Sequence, residues 1–336
     1  MPNDPVVLVD VMNLVFRSHF AFSGLSSEGK PTGVIYGILK SIADLRDNVS
    51  KRIVFVWDHG IPVLGAEKPR NWRDEMMKGY KGTRKQDPEV RKLVFPQLLS
   101  CSQLIKALGY SNESIMGLEA DDLIGLLAAN TKDDVLIYST DQDFYQLLNS
   151  KVRILVPKKD KGVFRIVTAA DVEAGGVAPS RWAEYLALGG DKSDNIKPMR
   201  GMGPKTAIKL IQSGVDLNKG YSRQPLAFIA KYGSVWEKIQ ECYSAAKVPT
   251  SWTDPRIQNC TKGKPIALKP DQQKSTPQDV KFFTQFCSDR ELVTILSIRH
   301  RLFNSGEQQW PTTTVVTKQP PSQRWQKGTL GLSRLV

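Results

Sequence analysis

The 336-residue chain is poor in the residues that most metal and redox chemistry uses. Its four cysteines, Cys101, Cys242, Cys260 and Cys287, are scattered and form no CxxC pair. That spacing excludes a zinc ribbon and gives no disulfide framework, so a reducing cytoplasm is the expected setting. Histidine occurs only at positions 19, 59 and 300, which argues against imidazole-based metal chemistry. No apolar run approaches the ~20 residues that a membrane span requires. The opening MPNDPVVLVD has no basic stretch ahead of an apolar one, so neither a secretory signal nor a membrane partner is expected. Acidic residues are also in deficit, 34 against 47 Lys plus Arg, for a formal charge of +13. That excess favours a polyanion, above all nucleic acid, as partner. A hydrophobic content of 40% and a charged content of 24% fit a soluble globular protein, expected here as a monomer.

Against this deficit, nine carboxylates gather in five short clusters. They are Asp10; Asp58; Glu119, Asp121 and Asp122; Asp141 and Asp143; and Asp191 and Asp194. Three clusters directly follow or lie just past apolar runs at 6–9, 53–57 and 135–138, which read as strands buried on both faces. Helical spacing at 33–48, 90–108 and 119–129 separates them, and 141–148 starts another helix. In 90–108 the residues expected inward are Val94, Leu98, Leu99, Ile105 and Leu108. The alternation predicts an α/β fold with a mostly parallel twisted sheet flanked by helices. Residues 152–156 and 163–167 read as a hairpin around 159–162, and Thr168 with Asp171 as a capped helix start. From about 180 the pattern turns helical, with candidates at 182–188, 205–212, 235–246, 276–286 and 289–303. We expect a core over 1–175, a helical region over 176–303, and a disordered tail over 304–336.

In open parallel sheets, ligands bind beyond the carboxyl ends of the strands, where Asp10, Asp58 and Asp141 fall. So many acids cannot lie close together ionised without cations. Hard divalent ions with oxygen ligands resolve this, and two of them can activate water against a phosphodiester. Between 70 and 92 the chain carries eight basic residues against four acidic ones, with Trp72 and Tyr80 interleaved. Cations there suit phosphates, and the aromatic rings suit unpaired bases. Gly201-Met202-Gly203-Pro204-Lys205-Thr206-Ala207 combines a tight turn with a helix start whose free N–H groups form an anion site. Placed after Asp191 and Asp194, it looks like a helix–hairpin–helix over about 190–213 that grips duplex backbone without reading sequence.

Together these residues resemble the 5′-nuclease, or flap endonuclease, family, which includes the 5′→3′ exonuclease domain of bacterial DNA polymerase I and stand-alone phage enzymes. The resemblance covers roughly residues 5–300. It runs through Val9-Asp10, Phe16-Arg17, 29–33, Tyr36-Gly37, Trp57-Asp58, Trp72-Arg73, Tyr80-Lys81, Arg84, 117–122, 139–143, 190–195 and 201–207. It implies that all nine carboxylates hold two Mg²⁺ or Mn²⁺ ions, with Asp141 counted among the catalytic residues. It implies that Lys81 and Arg84 contact the scissile phosphate from a helical arch over about 70–92, that Tyr80 stacks on a base, and that Arg17 and Arg73 contact DNA. Gly201, Gly203, Lys205 and Thr206 would bind duplex, with K⁺ at the hairpin. The implied substrates are DNA with a 5′ flap, a nick or an RNA primer, cut during replication or repair. Val11 departs from the small residue that many members carry after the first Asp. The tail carries Lys318, Arg324, Lys327 and Arg334 against only Glu307. It is expected to be disordered, with a replication partner such as a single-strand-binding protein or a polymerase as the alternative role.

Other functions fit less well. A PIN-like ribonuclease would share a four-acid site but needs neither the hairpin nor Asp191 and Asp194. A non-catalytic junction binder would lack carboxylates. A phosphatase with an Asp-x-Asp nucleophile is contradicted by Val11-Met12 after Asp10.

Overall fold

The computed structural model describes residues 4–59, 71–83, 87–158, 162–271 and 278–303. Arg84, the hairpin tip at 159–161 and the tail at 304–336 lie outside the described residues. Among the described residues the sheet has six strands: β1 (Val6–Asp10), β4 (Ile53–Val56), β5 (Ser111–Glu113), β6 (Val135–Tyr138), β7 (Val152–Pro157) and β8 (Phe164–Val167), in the order β5-β4-β1-β6-β7-β8. Pairing is parallel throughout except for the β7–β8 hairpin. β1, β4 and β6 are fully buried along their lengths, which is why they read as continuous apolar runs rather than alternating ones. A short β2 (Ser26–Ser27) and β3 (Lys30–Pro31) form a separate antiparallel pair. The chain departs from β1 in both directions, to β4 on one side and β6 on the other. That reversal opens a crevice at the carboxyl ends of these three strands.

Helices cover the sheet because each carries an apolar stripe. α1 (Val11–Ala21) buries Val11, Leu14, Val15 and Ser18. α2 (Gly33–Asn48) buries Ile35, Ile38, Leu39 and Ile42. After the short α3 (Trp72–Met76), α4 (Pro88–Ala107) starts at an Asp87 cap with Pro88 in its first turn and buries Val94, Leu98, Cys101 and Ile105. Leu99, expected inward, is 37% exposed; Gln97 is buried instead, with Oε1 accepting from the N–H groups of Val34 and Ile35 at 3.0 and 3.3 Å. It thereby caps the start of α2, a long-range pairing that helical periodicity does not reveal. α5 (Ala120–Ala129) is buried almost all round.

Two elements of the sheet half escape sequence patterning. α1 follows Asp10 with no intervening turn signal, and β5 is the polar edge strand Ser-Asn-Glu. A third difference is local: residues 141–148 form a 3₁₀ turn over Gln142–Leu147 rather than an α-helix. The capped start at Thr168 is present, with Thr168 N–H donating to Asp171 Oδ2 at 2.7 Å ahead of α6 (Ala169–Glu173).

The helical part comprises α7 (Trp182–Gly189), α8 (Pro204–Gln212), α9 (Leu226–Tyr232), α10 (Trp236–Ala246), α11 (Gln258–Thr261), α12 (Val280–Asp289) and α13 (Val293–Ser297). The helix expected over 289–303 is broken. Glu291 adopts a left-handed φ of +51°, and only α13 and a 3₁₀ turn at Arg299–Arg301 follow. The described residues lie in one compact unit, Met1–Ser305. Its apolar clusters include one formed by the sheet with α5 and one formed by α7, α8 and α10, which also takes in Met77 and Tyr80.

The segment after α10 is pressed against α5. A Cβ on Gly125 would collide with Val248 Cγ1 and come within 2.6 Å of the Pro249 carbonyl oxygen. Gly125→Val should therefore cost about 1–3 kcal/mol, the usual penalty of overpacking. Urea denaturation midpoints measure this, and an unchanged midpoint would show that α5 and residues 248–249 are free to separate.

Candidate active site

Five chain segments deliver carboxylates to the crevice. Asp10 ends β1 and caps α1; its Oδ1 accepts from Asn13 N–H at 3.1 Å and its Oδ2 from Ser139 Oγ at 3.0 Å. Asp58 lies two residues beyond β4 and accepts from the Ala120 N–H at 2.7 Å, which pins it to the start of α5. Glu119 is the N-cap of α5. Asp141 caps the 3₁₀ turn that carries Asp143 and accepts from the Asp143 N–H at 3.0 Å. Asp191 and Asp194 come from the helical part, in a tight loop closed by mutual backbone bonds between Asp191 and Ile196 at 2.9 and 2.7 Å. Within that loop Asp191 accepts from Ser193 N–H and Oγ, both at 2.7 Å. Carboxylate oxygens of Asp143, Asp191 and Asp194 all lie within 4.8 Å of one another. Three hard oxygen donors at that spacing fit a divalent ion.

The electrostatics show how badly the site needs positive charge. Burial, with Asp58 and Asp141 nearby, pushes the Asp10 carboxyl up to about 7. Burial and Glu119 push Asp58 up to about 6, against the pull of Lys81. Asp143 is raised well above its ordinary value by burial and then by Asp141, Asp194 and Asp191. Asp141 and Asp194 are raised in the same direction, burial leading in each. Glu119 is the exception. Burial would raise it, but the Lys81 ammonium and the Arg73 guanidinium hold it down at about 2.

Asp122 stands apart from the other eight. It is fully buried, with its oxygens 2.8 and 2.9 Å from the Arg73 guanidinium, 2.9 Å from Trp72 Nε1 and 3.1 Å from the Glu119 N–H. Its bond to the cap residue completes a capping box, and its carboxylate is taken up by Arg73 and Trp72.

The basic half is arranged differently from the expectation. Arg73, expected on DNA, is 1% exposed. Besides Asp122 it reaches Glu119 at 3.3 Å, Asp121 at 3.4 Å and the Ala245 carbonyl at 2.9 Å, between the rings of Trp72 and Tyr80. Trp72 and Tyr80, expected to stack on bases, are 6% and 5% exposed. The Tyr80 hydroxyl lies 2.9 Å from Glu119 Oε2 and 2.8 Å from Asp194 Oδ2. Lys81 does face the carboxylates, with Nζ 2.7 Å from Glu119 Oε1. Arg17, on α1, stacks over Tyr138 at 4.7 Å, and its Nη1 is buried without an acceptor among the described residues. Gly201 has a left-handed φ of +78° and Gly203 precedes α8 with open space beside it. Lys205 is exposed and Thr206 half-buried on the first turn of α8, where no side chain caps the helix.

Sequence reasoning passed over three residues here. Ser139 orients Asp10. His59, left-handed at φ +50°, places Nε2 4.0 Å from Glu119 Oε1. Asn195, left-handed at φ +58°, donates from Nδ2 to the Gly79 carbonyl at 2.7 Å. The aspartate neighbours of each were the available signal, since the residues beside a ligand set its angle.

Asp10→Asn tests the electrostatics of the metal-free protein. A carboxyl whose folded pKa is raised to about 7 from 3.8 destabilises the fold once both states are ionised. The variant should therefore gain on the order of 1–3 kcal/mol over the parent at pH 8, and the gain should vanish as pH falls through 7 towards 4. Thermal melts in chelator across that range measure it; a gain that grew towards low pH would contradict the assignment. For the buried guanidinium, Arg73→Ala leaves Asp122 buried without its partner and should cost about 3–5 kcal/mol in the same assay.

Comparison with known proteins places this arrangement. The chain matches the 5′-3′ exonuclease N-terminal resolvase-like domain over residues 5–175 and the 5′-3′ exonuclease C-terminal SAM fold over residues 177–253. It is 32% identical over 225 residues to a 5′-3′ exonuclease of Buchnera aphidicola, covering 65% of this chain and 73% of that one. It is 36% identical over 215 residues to the thermostable DNA polymerase I of Thermus filiformis, covering 62% of this chain but only 24% of the polymerase. The chain thus spans about a quarter of that relative's length. Among solved structures, T5 5′-exonuclease with bound divalent metal ions (zinc) superposes with a TM-score of 0.59 at 21% identity, over 87% of this chain and 98% of that one. The sheet with its crevice and the helical part behind Asp191 are thus matched in order along one sequence, and the chain belongs to the 5′-3′ exonuclease family.

Proposed function

We propose that the chain is a divalent-metal-dependent 5′ nuclease, hydrolysing phosphodiesters at 5′ flaps, nicks and RNA primers in replication and repair. The observation that carries this is the convergence of acids from both family-matched regions, with Asp143, Asp191 and Asp194 within 4.8 Å. Those three would hold one ion. Asp10, Asp58, Glu119, Asp121 and Asp141 would hold the other, while Asp122 holds Arg73. Mg²⁺ suits such all-oxygen donor sets, with Mn²⁺ as a substitute. Ions there would supply an activated water and neutralise the leaving oxygen.

The protein's own groups do the rest. Lys81 would bind the scissile phosphate and offset its developing charge, assisted by Arg84. Arg17 would take a phosphate near the crevice, and Arg73 would serve by positioning Glu119 and Asp121. The uncapped start of α8, with Gly201, Gly203, Lys205 and Thr206, would hold duplex backbone, with K⁺ completing the turn. Products would carry a 5′ phosphate and a 3′ hydroxyl. The tail at 304–336 would engage a replication partner, and the enzyme would act as a monomer in the cytoplasm of a bacterial or phage-infected cell. DNA as partner is supported by the net charge of +13, and by the likeness in fold to a bacteriophage T5 flap endonuclease solved with DNA and metal ions.

Asp141→Asn should lower cleavage of a 5′-labelled flap by more than about 100-fold with Mg²⁺, the scale on which one lost group of a catalytic centre is felt, while DNA affinity in chelator stays within about twofold. Product lengths on the same gel separate stepwise removal from junction cutting. Wild-type protein that leaves flap and nicked duplex intact in Mg²⁺ at low salt would overturn the proposal.

A further inference from the structure

Two consecutive residues sit where the carboxylates call for a free cation. Lys81 Nζ lies 2.7 Å from Glu119 Oε1 and 3.9 Å from Asp194 Oδ1. The Tyr80 hydroxyl lies between Glu119 Oε2 and Asp194 Oδ2 at 2.9 and 2.8 Å. Glu119 belongs to the sheet-end group and Asp194 to the group contributed by the helical part, so the dipeptide bridges both. A phenol has one proton to donate, so the hydroxyl satisfies only one of its two carboxylates. The nearby ammonium keeps the other contact tolerable.

The backbone is fixed in this posture by the loop that carries Asp194. Lys81 N–H donates to the Asp194 carbonyl at 3.1 Å, and Asn195 Nδ2 donates to the Gly79 carbonyl at 2.7 Å. Lys81 and Asn195 both have left-handed φ values, +51° and +58°. Residues with side chains hold that conformation when their surroundings impose it, and such strain clusters at clamps and switches. Lys81 is also more accessible than its partners, 20% exposed at the side chain against 5% for Glu119 and Asp194. Arg73, at 1%, is locked in place.

We infer that Tyr80 and Lys81 form a tethered stand-in for a divalent ion, holding Glu119 and Asp194 together in the metal-free protein and yielding when the sheet-end group takes its ion. The two sites then load unequally. The ammonium bonds Glu119 at 2.7 Å but stays 3.9 Å from Asp194, and Asp143 and Asp191 make no contact with the dipeptide among the described residues, so the site built on these three aspartates fills first. The ion at Glu119 has to displace the ammonium. An ion there would release the Lys81 ammonium for nucleic acid and the Tyr80 hydroxyl from Glu119, while the Tyr80 ring stays anchored in its apolar cluster, which makes both positioning residues in the metal-free state.

This inference rests on the metal-dependent function proposed above, and Mn²⁺ binding to the full chain without DNA separates the two. Electron paramagnetic resonance counts free Mn²⁺ while calorimetry gives the affinities, for the parent, Lys81→Met, Lys81→Arg and Tyr80→Phe, each checked for folding by circular dichroism. The parent should bind one ion at least about tenfold more tightly than the second, and Lys81→Met should tighten the weaker ion by about tenfold, as loss of a half-buried competing charge implies. Tyr80→Phe should tighten it less, and Lys81→Arg should keep a gap like the parent's. Should Lys81→Met not fold, Tyr80→Phe decides the matter by the same comparison. A weaker ion bound no more tightly in Lys81→Met and Tyr80→Phe than in the parent, or two equal sites in the parent, would overturn the stand-in. Absence of Mn²⁺ binding in all four chains would overturn the metal-dependent function itself.

Discussion

Repulsion among buried carboxylates is the constraint around which this molecule is organised. Asp10, Glu119 and Asp194 are each 8% exposed or less, and burial heads the influences on all three. The fold meets the repulsion with two cations of different permanence. Arg73 is sealed between Trp72 and Tyr80 and bound to three acids at the start of α5, so it is part of the framework. Lys81 reaches the same Glu119 from a strained backbone and keeps some contact with water. A guanidinium with five fixed donors suits the first task, and a single mobile ammonium suits the second.

The sheet and the location of the site were largely legible because burial on both faces leaves continuous apolar runs in β1, β4 and β6, and the acids follow those runs. Segment 71–83 was harder. It is too short and irregular to show periodicity, so a basic, aromatic stretch reads as solvent-facing when Trp72, Arg73 and Tyr80 in fact point inward. Asp122 carried a signal that could be read two ways. Three residues after Glu119 it shares a helix face with it, which suggests a common ligand role. The same spacing is that of a capping box, and the cap decides its orientation. β5 left no trace because an edge strand of Ser, Asn and Glu owes its existence to pairing with β4 rather than to burial.

The helical part supplies acids, and it is also fastened directly to the elements that carry the other acids. Ala245 at the end of α10 accepts from Arg73, and Gln146 of the 3₁₀ turn donates to the Ala246 carbonyl and accepts from the Val248 N–H at 3.1 and 2.8 Å. Residues 248–249 then pack so closely on α5 that only glycine fits at 125. Asp58, Glu119 and Asp141 therefore take their relative positions partly from a segment more than a hundred residues away in sequence.

Such long-range fastening explains why strain can persist at the centre of the site. A left-handed Lys81 and Asn195 would relax in an isolated loop, because non-glycine residues gain by leaving that conformation. Here Met77 and Tyr80 are embedded in the apolar cluster of α7, α8 and α10, which anchors segment 71–83 on one side of the strained residues. On the other side the Asp191–Ile196 bridge fixes the loop that Lys81 and Gly79 bond to. With both ends held, the exchange available at low cost is at the tips, the Tyr80 hydroxyl and the Lys81 ammonium, while the backbone that aims them stays put. The site can thus trade an internal cation for an external one without reorganising the sheet or the helical part that frame it.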